Sequence, residues 1–317
     1  MAGEIVPPPF VWRTVLTMQI RPIGPLDLAA TAALLSETLA LAHANAAWLQ
    51  GLTLDDPTCE SEIALLAVDR EAVIGCCLGC RRDDRAVIKL FAVSPAARRQ
   101  GIATALFSAL EQASRDKALQ RIVVGGVAPN YALPGVPLAS ISAIGFLERA
   151  GYRSDRSARV DLIVDLDDVD LDCQPAVARL AAQGLTLQRA TPERVPEAAA
   201  FALGQFSSSW EWEVGRSAQF QPIPLFVALD GDEVVAFAAY EVSGPGRFGP
   251  TGTLPTFRRR GIGSTLMRMC LADMKTRGDC SCTIGWAGPI GYYARAVNAR
   301  MGPAFWVYEK DLHNQAS

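Results

Sequence analysis

The chain is short of basic charge. It carries 30 Lys and Arg against 33 Asp and Glu, a net charge of -3 over 317 residues. A nucleic-acid binder usually shows a basic excess, so that class is disfavoured. Histidine is rarer still, with two copies, His43 and His313, isolated from each other. Neither reads as catalytic. No apolar run reaches the length of about 18 residues that a membrane-spanning helix needs. The most apolar stretch, residues 28–49, is interrupted by Ser36, Glu37, Thr38, His43 and Asn45 and reads as one or two amphipathic helices. The first 20 residues lack a basic start, an apolar core and a small-residue cleavage site, so a cytoplasmic protein without a secretory leader is expected.

Cysteine is present in eight copies, yet no metal site is expected. Cys77 and Cys80 have the C-x-x-C spacing of a zinc knuckle. They lie in VIGCCLGC, which reads as a buried strand, and no nearby histidine completes four converging ligands. Reduced thiols are the default in a cytosol.

At about 150 residues per domain, the length points to two domains. Strand and helix segments do recur in the same order twice. In the first half, MQIRPI, IALLAVD, AVIGCCLGCR and AVIKLFAV read as strands, IATALFSALEQASRDKAL as a helix, RIVVGG as a strand, AIGFLERAG as a helix and RVDLIVDL as a closing strand. The second half repeats this from LTLQRA to a last strand, PAFWVYEKDL, with an Asp230-Gly231 hairpin turn. The expected boundaries are an arm over residues 1–17, a first domain over 18–169, a linker over 170–184 and a second domain over 185–317. Meander strands followed by a strand–helix–strand unit imply an α/β fold, with a mixed sheet and helices on both faces of each half.

The most informative text is SPAARRQGIATALFSAL and its partner LPTFRRRGIGSTLMRMC. Pro95 matches Pro255, Arg98 matches Arg258, Gly101 matches Gly261, Ile102 matches Ile262 and Leu106 matches Leu266, each 160 positions apart without a gap. A repeat of domain length means duplication. In each copy a strand ends at proline, arginines follow, and a glycine opens a helix. Free N–H groups and the positive dipole end then face the loop. That device suits a pyrophosphate.

Both loops resemble the acyl-CoA pyrophosphate loop of the GCN5-related N-acetyltransferases, whose pattern is Q/R-x-x-G-x-G/A; the copies here read R-R-Q-G-I-A and R-R-R-G-I-G. The resemblance spans nearly all of the chain after Met18 and is of the tandem type. It implies acetyl-CoA as co-substrate, no metal, and transfer of an acetyl group to a small-molecule or peptide amine. It implies that Phe91, Ala92 and Val93, and in the second half Gly252, Thr253 and Leu254, meet the pantetheine arm. The pyrophosphate then falls to Arg98, Arg99, Gln100, Gly101, Ile102, Ala103 and Thr104. In the second copy it falls to Arg258, Arg259, Arg260, Gly261, Ile262, Gly263 and Ser264.

The family's usual proton donor is a tyrosine on the following helix. Tyr293 stands at that position in the second half and Leu147 in the first, so catalysis is expected in the second half. Tyr131 is a rival donor for the first half. Glu241 is the first candidate for general base, followed by Glu211 and Glu213. Trp210 and Trp212 are candidates for lining an acceptor pocket. The alternatives are catalysis in the first half, or a non-catalytic acyl-CoA sensor. No nucleic acid or membrane is expected as partner, and both a monomer and a homodimer are compatible with the sequence.

Overall fold

A computed structural model describes residues 18–39, 41 and 43–313. The expected N-terminal arm lies outside the described residues. In chain order the first half contains β1 (Met18–Pro22), α1 (Leu28–Leu39), α2 (Ala46–Leu52), β2 (Ala64–Asp69), β3 (Ala72–Arg82), β4 (Arg85–Val93), α3 (Ile102–Asp116), β5 (Arg121–Val124), β6 (Val136–Pro137), α4 (Ile141–Arg149) and β7 (Arg159–Asp165). α5 (Gln174–Ala181) bridges the halves. The second half contains β8 (Leu185–Arg189), α6 (Arg194–Gln205), α7 (Ser208–Arg216), β9 (Leu225–Asp230), β10 (Glu233–Tyr240) and β11 (Arg247–Thr253). It continues with α8 (Ile262–Thr276), β12 (Ser281–Ile284), α9 (Ile290–Val297), β13 (Arg300–Trp306) and β14 (Tyr308–Asp311).

Helical spacing explains the two central helices. Ile102, Leu106 and Leu110 form the buried stripe of α3, and Ile262, Leu266, Cys270 and Met274 that of α8. Each sheet has an apolar cluster on both faces. In the first half one lies under α3 and α4 and the other under α1 and α2. In the second, one lies under α8 and α9 and the other under α6 and α7. The α/β fold with helices on both faces, twice over, is therefore observed. The apolar stretch 28–49 divides into two helices, and Asn45 caps the second by accepting the N–H of Trp48 at 2.9 Å.

Two strands depart from the sequence reading. RVDLIVDL does not close the first sheet. As β7 it lies between β13 and β12, in an eight-stranded sheet of order β6-β13-β7-β12-β11-β10-β9-β8. The last strand is two strands. After β13 the chain crosses over, and β14 pairs antiparallel with β5, Tyr308 opposite Val124, completing a six-stranded sheet of order β1-β2-β3-β4-β5-β14. The first half thus lends β6 and β7 to the second sheet, and the second half lends β14 to the first. Local pattern makes RVDLIVDL a strand but does not name its neighbour.

A buried polar cluster joins the halves. Arg247, at the start of β11, pairs with Asp161 of β7 at 3.1 Å and donates to the Ala132 carbonyl at 2.9 Å. The other Asp161 oxygen accepts the Trp286 N–H at 2.8 Å. Arg247 and Asp161 are 6% and 4% exposed, so neither has water as an alternative partner. All eight cysteines are free thiols. Cys77 and Cys80 belong to different apolar clusters. Among the described residues no group of three or more His, Cys, Asp or Glu is placed to hold a metal, and no helix is long and apolar enough to cross a membrane.

The exchanged strands predict that the halves do not fold separately. A fragment of residues 18–169 leaves β7 unpaired and the β5 edge bare. It is expected to elute as aggregate on size exclusion, and to become a soluble complex when residues 170–317 are co-expressed. A cooperatively melting, monomeric 18–169 fragment contradicts this.

Candidate active site

The two arginine–glycine loops have the same backbone. Arg99 and Arg259 both have φ 64°, and Gly101 and Gly261 have φ 83° and 90°. Two left-handed residues so close together curl the loop backbone into a concavity, which meets the free N–H groups of the first turn of α3 or α8. Arg98 Nε donates to the Val93 carbonyl at 3.2 Å, and Arg258 Nε to the Thr253 carbonyl at 3.1 Å. The first arginine of each loop therefore braces the end of the preceding strand. Gln100 turns back to the Ala96 carbonyl. Arg260 is held by Gln183, at 3.0 Å from Nη2, and stacks over Phe257. Gln100 and Arg260 leave the concavity to the other loop residues.

The strand before each loop outruns its parallel neighbour. β4 pairs with β5 only over residues 85–88, and β11 with β12 only at Arg247 and Phe248. Residues 89–93 and 249–253 thus have one open edge, the opening in which an extended polar chain can hydrogen-bond. Thr253 is the last residue of β11 and takes the place of Val93; Thr251 takes the place of Phe91. The second-half trio is therefore Thr251, Gly252 and Thr253. Leu254 is displaced from it by one position and, like Ser94, caps the short turn that follows.

A cavity lies over each loop. The first, of about 930 Å³, is lined by Phe91, Ala92, Val93, the loop residues Arg98, Arg99, Gly101, Ile102, Ala103 and Thr104, and Phe146. Past Phe91 the gap between β4 and β5 holds a void of only about 40 Å³, walled by Leu39, Leu133 and Val136. Backbone fills it: a Cβ on Gly125 would lie 2.4 Å from the Cα of Gly135. Leu147 is fully buried. The nearby Lys89 ammonium is taken by Asp56 at 2.6 Å and the Leu52 carbonyl at 2.7 Å. Burial pushes the Asp56 carboxyl up, but Lys89 and Thr58 outweigh it and hold the group well below the usual carboxylate range.

The second cavity, of about 970 Å³, is continuous. It runs from Arg258, Arg259, Gly261, Ile262, Gly263 and Ser264 along residues 249–253 to Phe206, Trp210 and Glu213 on the other side of the sheet. Tyr293 and Tyr292 line it, with rings edge-on at 5.1 Å. The Tyr292 hydroxyl lies 3.2 Å from where a Cβ on Gly263 would stand, so glycine keeps that part of the loop clear. Tyr293 lies deeper and is 7% exposed; burial and the neighbouring Tyr292 raise its hydroxyl to about 12, so it keeps its proton at neutral pH.

Glu213 of α7 is the acidic group of this cavity. It is 4% exposed, and among the described residues its carboxyl has no hydrogen bond or ion pair. Burial raises it to about 7, although Arg247 and Arg216 favour the charged form. Glu241 does not line the cavity. Its backbone is left-handed, with φ 65°, and its carboxylate accepts the Gly246 N–H at 2.7 Å and pairs with Arg277 at 3.2 Å. Glu211 is also outside the lining, and Trp212 is 38% exposed with Arg216 over its ring. Tyr131, expected in the first half's own site, instead lines the second cavity and meets Trp286 edge-on at 5.9 Å. Phe206 and Trp286 were not legible as site residues. Their only signal was an aromatic at the end of a helix and another after a strand.

The chain matches the Acetyltransferase (GNAT) family over residues 35–152 and 192–299. It is similar to a GCN5-related glucosamine N-acetyltransferase region in a fungal multi-domain GH3 β-N-acetylglucosaminidase. The TM-score is 0.72 and the identity 20%, over 96% of this chain and 40% of that one. It therefore spans well under half the length of that protein. It is also similar to a tandem GNAT protein from the clavulanic acid biosynthesis pathway, with a TM-score of 0.68 and 16% identity over 94% of this chain and 99% of that one. A third similar structure is a GCN5-related N-acetyltransferase from Sphaerobacter thermophilus, with a TM-score of 0.66 and 18% identity over 94% and 96%. A search of curated proteins returns no match. The paired loops, the open strand edges and the match across both halves make one case: the chain belongs to the GNAT acetyltransferase family, in its tandem form.

Proposed function

We propose that the second half transfers the acetyl group of acetyl-CoA directly to a primary amine. The carrying observation is the continuity of the second cavity, from the loop at Gly261 past the open edge of β11 to the carboxyl of Glu213, which has no partner among the described residues. The residues present fit the donor. The Gly261 loop offers N–H groups and arginines to a pyrophosphate, and the open edge of β11 offers backbone groups to an amide-bearing arm. Bound acetyl-CoA supplies an activated thioester carbonyl.

The protein's own groups do the rest. The Glu213 carboxylate takes a proton from the incoming ammonium and frees the nitrogen lone pair. A backbone N–H at the open edge of β11 stabilises charge developing on the carbonyl oxygen. The new C–N bond forms as the C–S bond breaks, Glu213 passes its first proton to solvent, and the excess proton left on the acylated nitrogen follows it, giving the neutral amide. Tyr293 gives its proton to the departing thiolate and regains one from solvent. The cavity brings both reactants together, which removes much of the entropic barrier. The first cavity is intact at its loop and shut beyond Phe91, which supports acyl-CoA binding there without transfer. A cytoplasmic setting belongs to the same proposal.

Three tests follow from this geometry. Replacing Gly261 with Glu places a carboxylate in the phosphate concavity; calorimetric affinity for acetyl-CoA at the second site is expected to fall at least about tenfold, or about 1.4 kcal/mol. Gly101→Glu is expected to remove a separate binding event and to spare turnover; turnover lost with Gly101→Glu and kept with Gly261→Glu moves catalysis to the first half. Glu213 must be ionised to accept a proton, so kcat is expected to rise with pH through about 7. In Glu213→Gln that limb disappears and kcat falls of the order of 10²-fold; an unchanged pH profile excludes Glu213 as base. Tyr293→Phe is expected to lower kcat by about tenfold or more while leaving acetyl-CoA affinity in place.

A further inference from the structure

The acceptor end of the second cavity is built by both halves of the chain. Two aromatic pairs line it. Phe206 and Trp210 lie 4.8 Å apart and 34° from parallel, and Tyr131 meets Trp286 edge-on at 5.9 Å. Phe206 lies against the open strand, because a Cβ on Gly252 would stand 2.4 Å from its ring. Tyr131 comes from the first half, on the segment between β5 and β6. That segment is held from both sides. Arg247 donates to the Ala132 carbonyl at 2.9 Å, Arg159 to the Pro134 carbonyl at 3.0 Å and to the Gly126 carbonyl, and Asn130 to Asp56 at 3.0 Å. The Arg159 guanidinium also covers a face of Trp286, 3.8 Å from its centroid. Tyr131 is therefore fixed in place before any ligand arrives.

The charges of this end are equally specific. Glu213 is its carboxyl, 4% exposed and without a protein partner among the described residues. The cations of the cavity lining, Arg258 and Arg259, belong to the loop at the other end. Arg247, Arg216 and Arg159 stand behind the wall and are already engaged, Arg247 by Asp161, Arg216 by the Val242 carbonyl and Arg159 by the Pro134 carbonyl. One ammonium is matched. A second ammonium finds no second carboxylate, and a carboxylate next to the amine meets the like charge of Glu213. Flat aromatic walls favour a flat, apolar body.

We infer that the acceptor is a primary monoamine carried on an aromatic body without a carboxylate, held between the Tyr131–Trp286 and Phe206–Trp210 pairs with its nitrogen at Glu213. This rests on the acetyl-transfer reading of the second half. The test uses the full-length protein and four amines: 2-phenylethylamine, phenylalanine, glucosamine and spermidine. Thiol release from acetyl-CoA reads turnover, and calorimetry with CoA-saturated protein reads amine binding independently of it. The expected result is a KM and a Kd for 2-phenylethylamine at least tenfold below those for the other three. Tyr131→Ala is expected to raise that KM at least tenfold and by more than it lowers kcat, with Tyr131→Phe restoring most of the affinity; Phe206→Leu gives the same reading if Tyr131→Ala does not fold. Turnover with a preference for spermidine, glucosamine or phenylalanine overturns the acceptor assignment and leaves acetyl transfer standing. Equal binding of all four overturns it as well. Tighter binding of 2-phenylethylamine without thiol release from any amine supports the pocket and removes the transfer reading instead.

Discussion

The ion pair between Arg247 and Asp161 is the contact on which the second site depends. Its partners come from different halves and different strands, and both are buried. Removing one partner of such a pair strands a charge in a medium that solvates it poorly, at a cost of about 3–5 kcal/mol. Three further features hang on the same two residues. Asp161 fixes the backbone at Trp286, Arg247 fixes the backbone at Ala132, and the Arg247 charge acts on Glu213. The cavity wall, its aromatic lining and the ionisation of its carboxyl are thus consequences of one cross-half contact.

The two halves carry the same duplicated device, with the passage beyond it closed in one copy and open in the other. Both loops keep their left-handed arginine and glycine, and both strands outrun their neighbours. The difference lies past the strand. In the first half, Leu39, Leu133 and Val136 close the gap, and the segment between β5 and β6 turns outward to present Tyr131 to the second half. In the second half, Phe206 occupies the space over Gly252 and leaves the passage to Glu213 open. A segment that closes one site therefore furnishes a wall of the other.

Much of the fold was legible because local physics encodes it. The four-residue spacing in α3 and α8 and the glycines at their starts placed both loops without any structure. The exchange of β7 and β14 was not legible, since alternating apolar residues specify a strand and leave its partner to long-range packing. The site divides in the same way. Gly101 and Gly261 announced themselves through a motif. Glu213 stood beside Glu211 in the same short helix, and only burial tells the two apart. Glu241 looked the better candidate because it follows a strand beside the loop, but it lies outside the cavity and one of its oxygens already serves the Gly246 N–H and Arg277. Tyr131 was misplaced because its segment leaves the half in which it is encoded.

The crossing of β14 has a consequence for synthesis. The strand that completes the first sheet occupies residues 308–311, some 180 residues after the β5 edge it covers. At a ribosomal rate of about 5–20 residues per second, that edge waits on the order of 10–40 s for its cover. A nascent first half exposes an unpaired strand for all of that time, together with the apolar ground that Tyr308 later occupies. The link that makes one molecule of two repeats therefore also leaves the emerging chain with a sheet edge open to wrong pairing until its last strand is made.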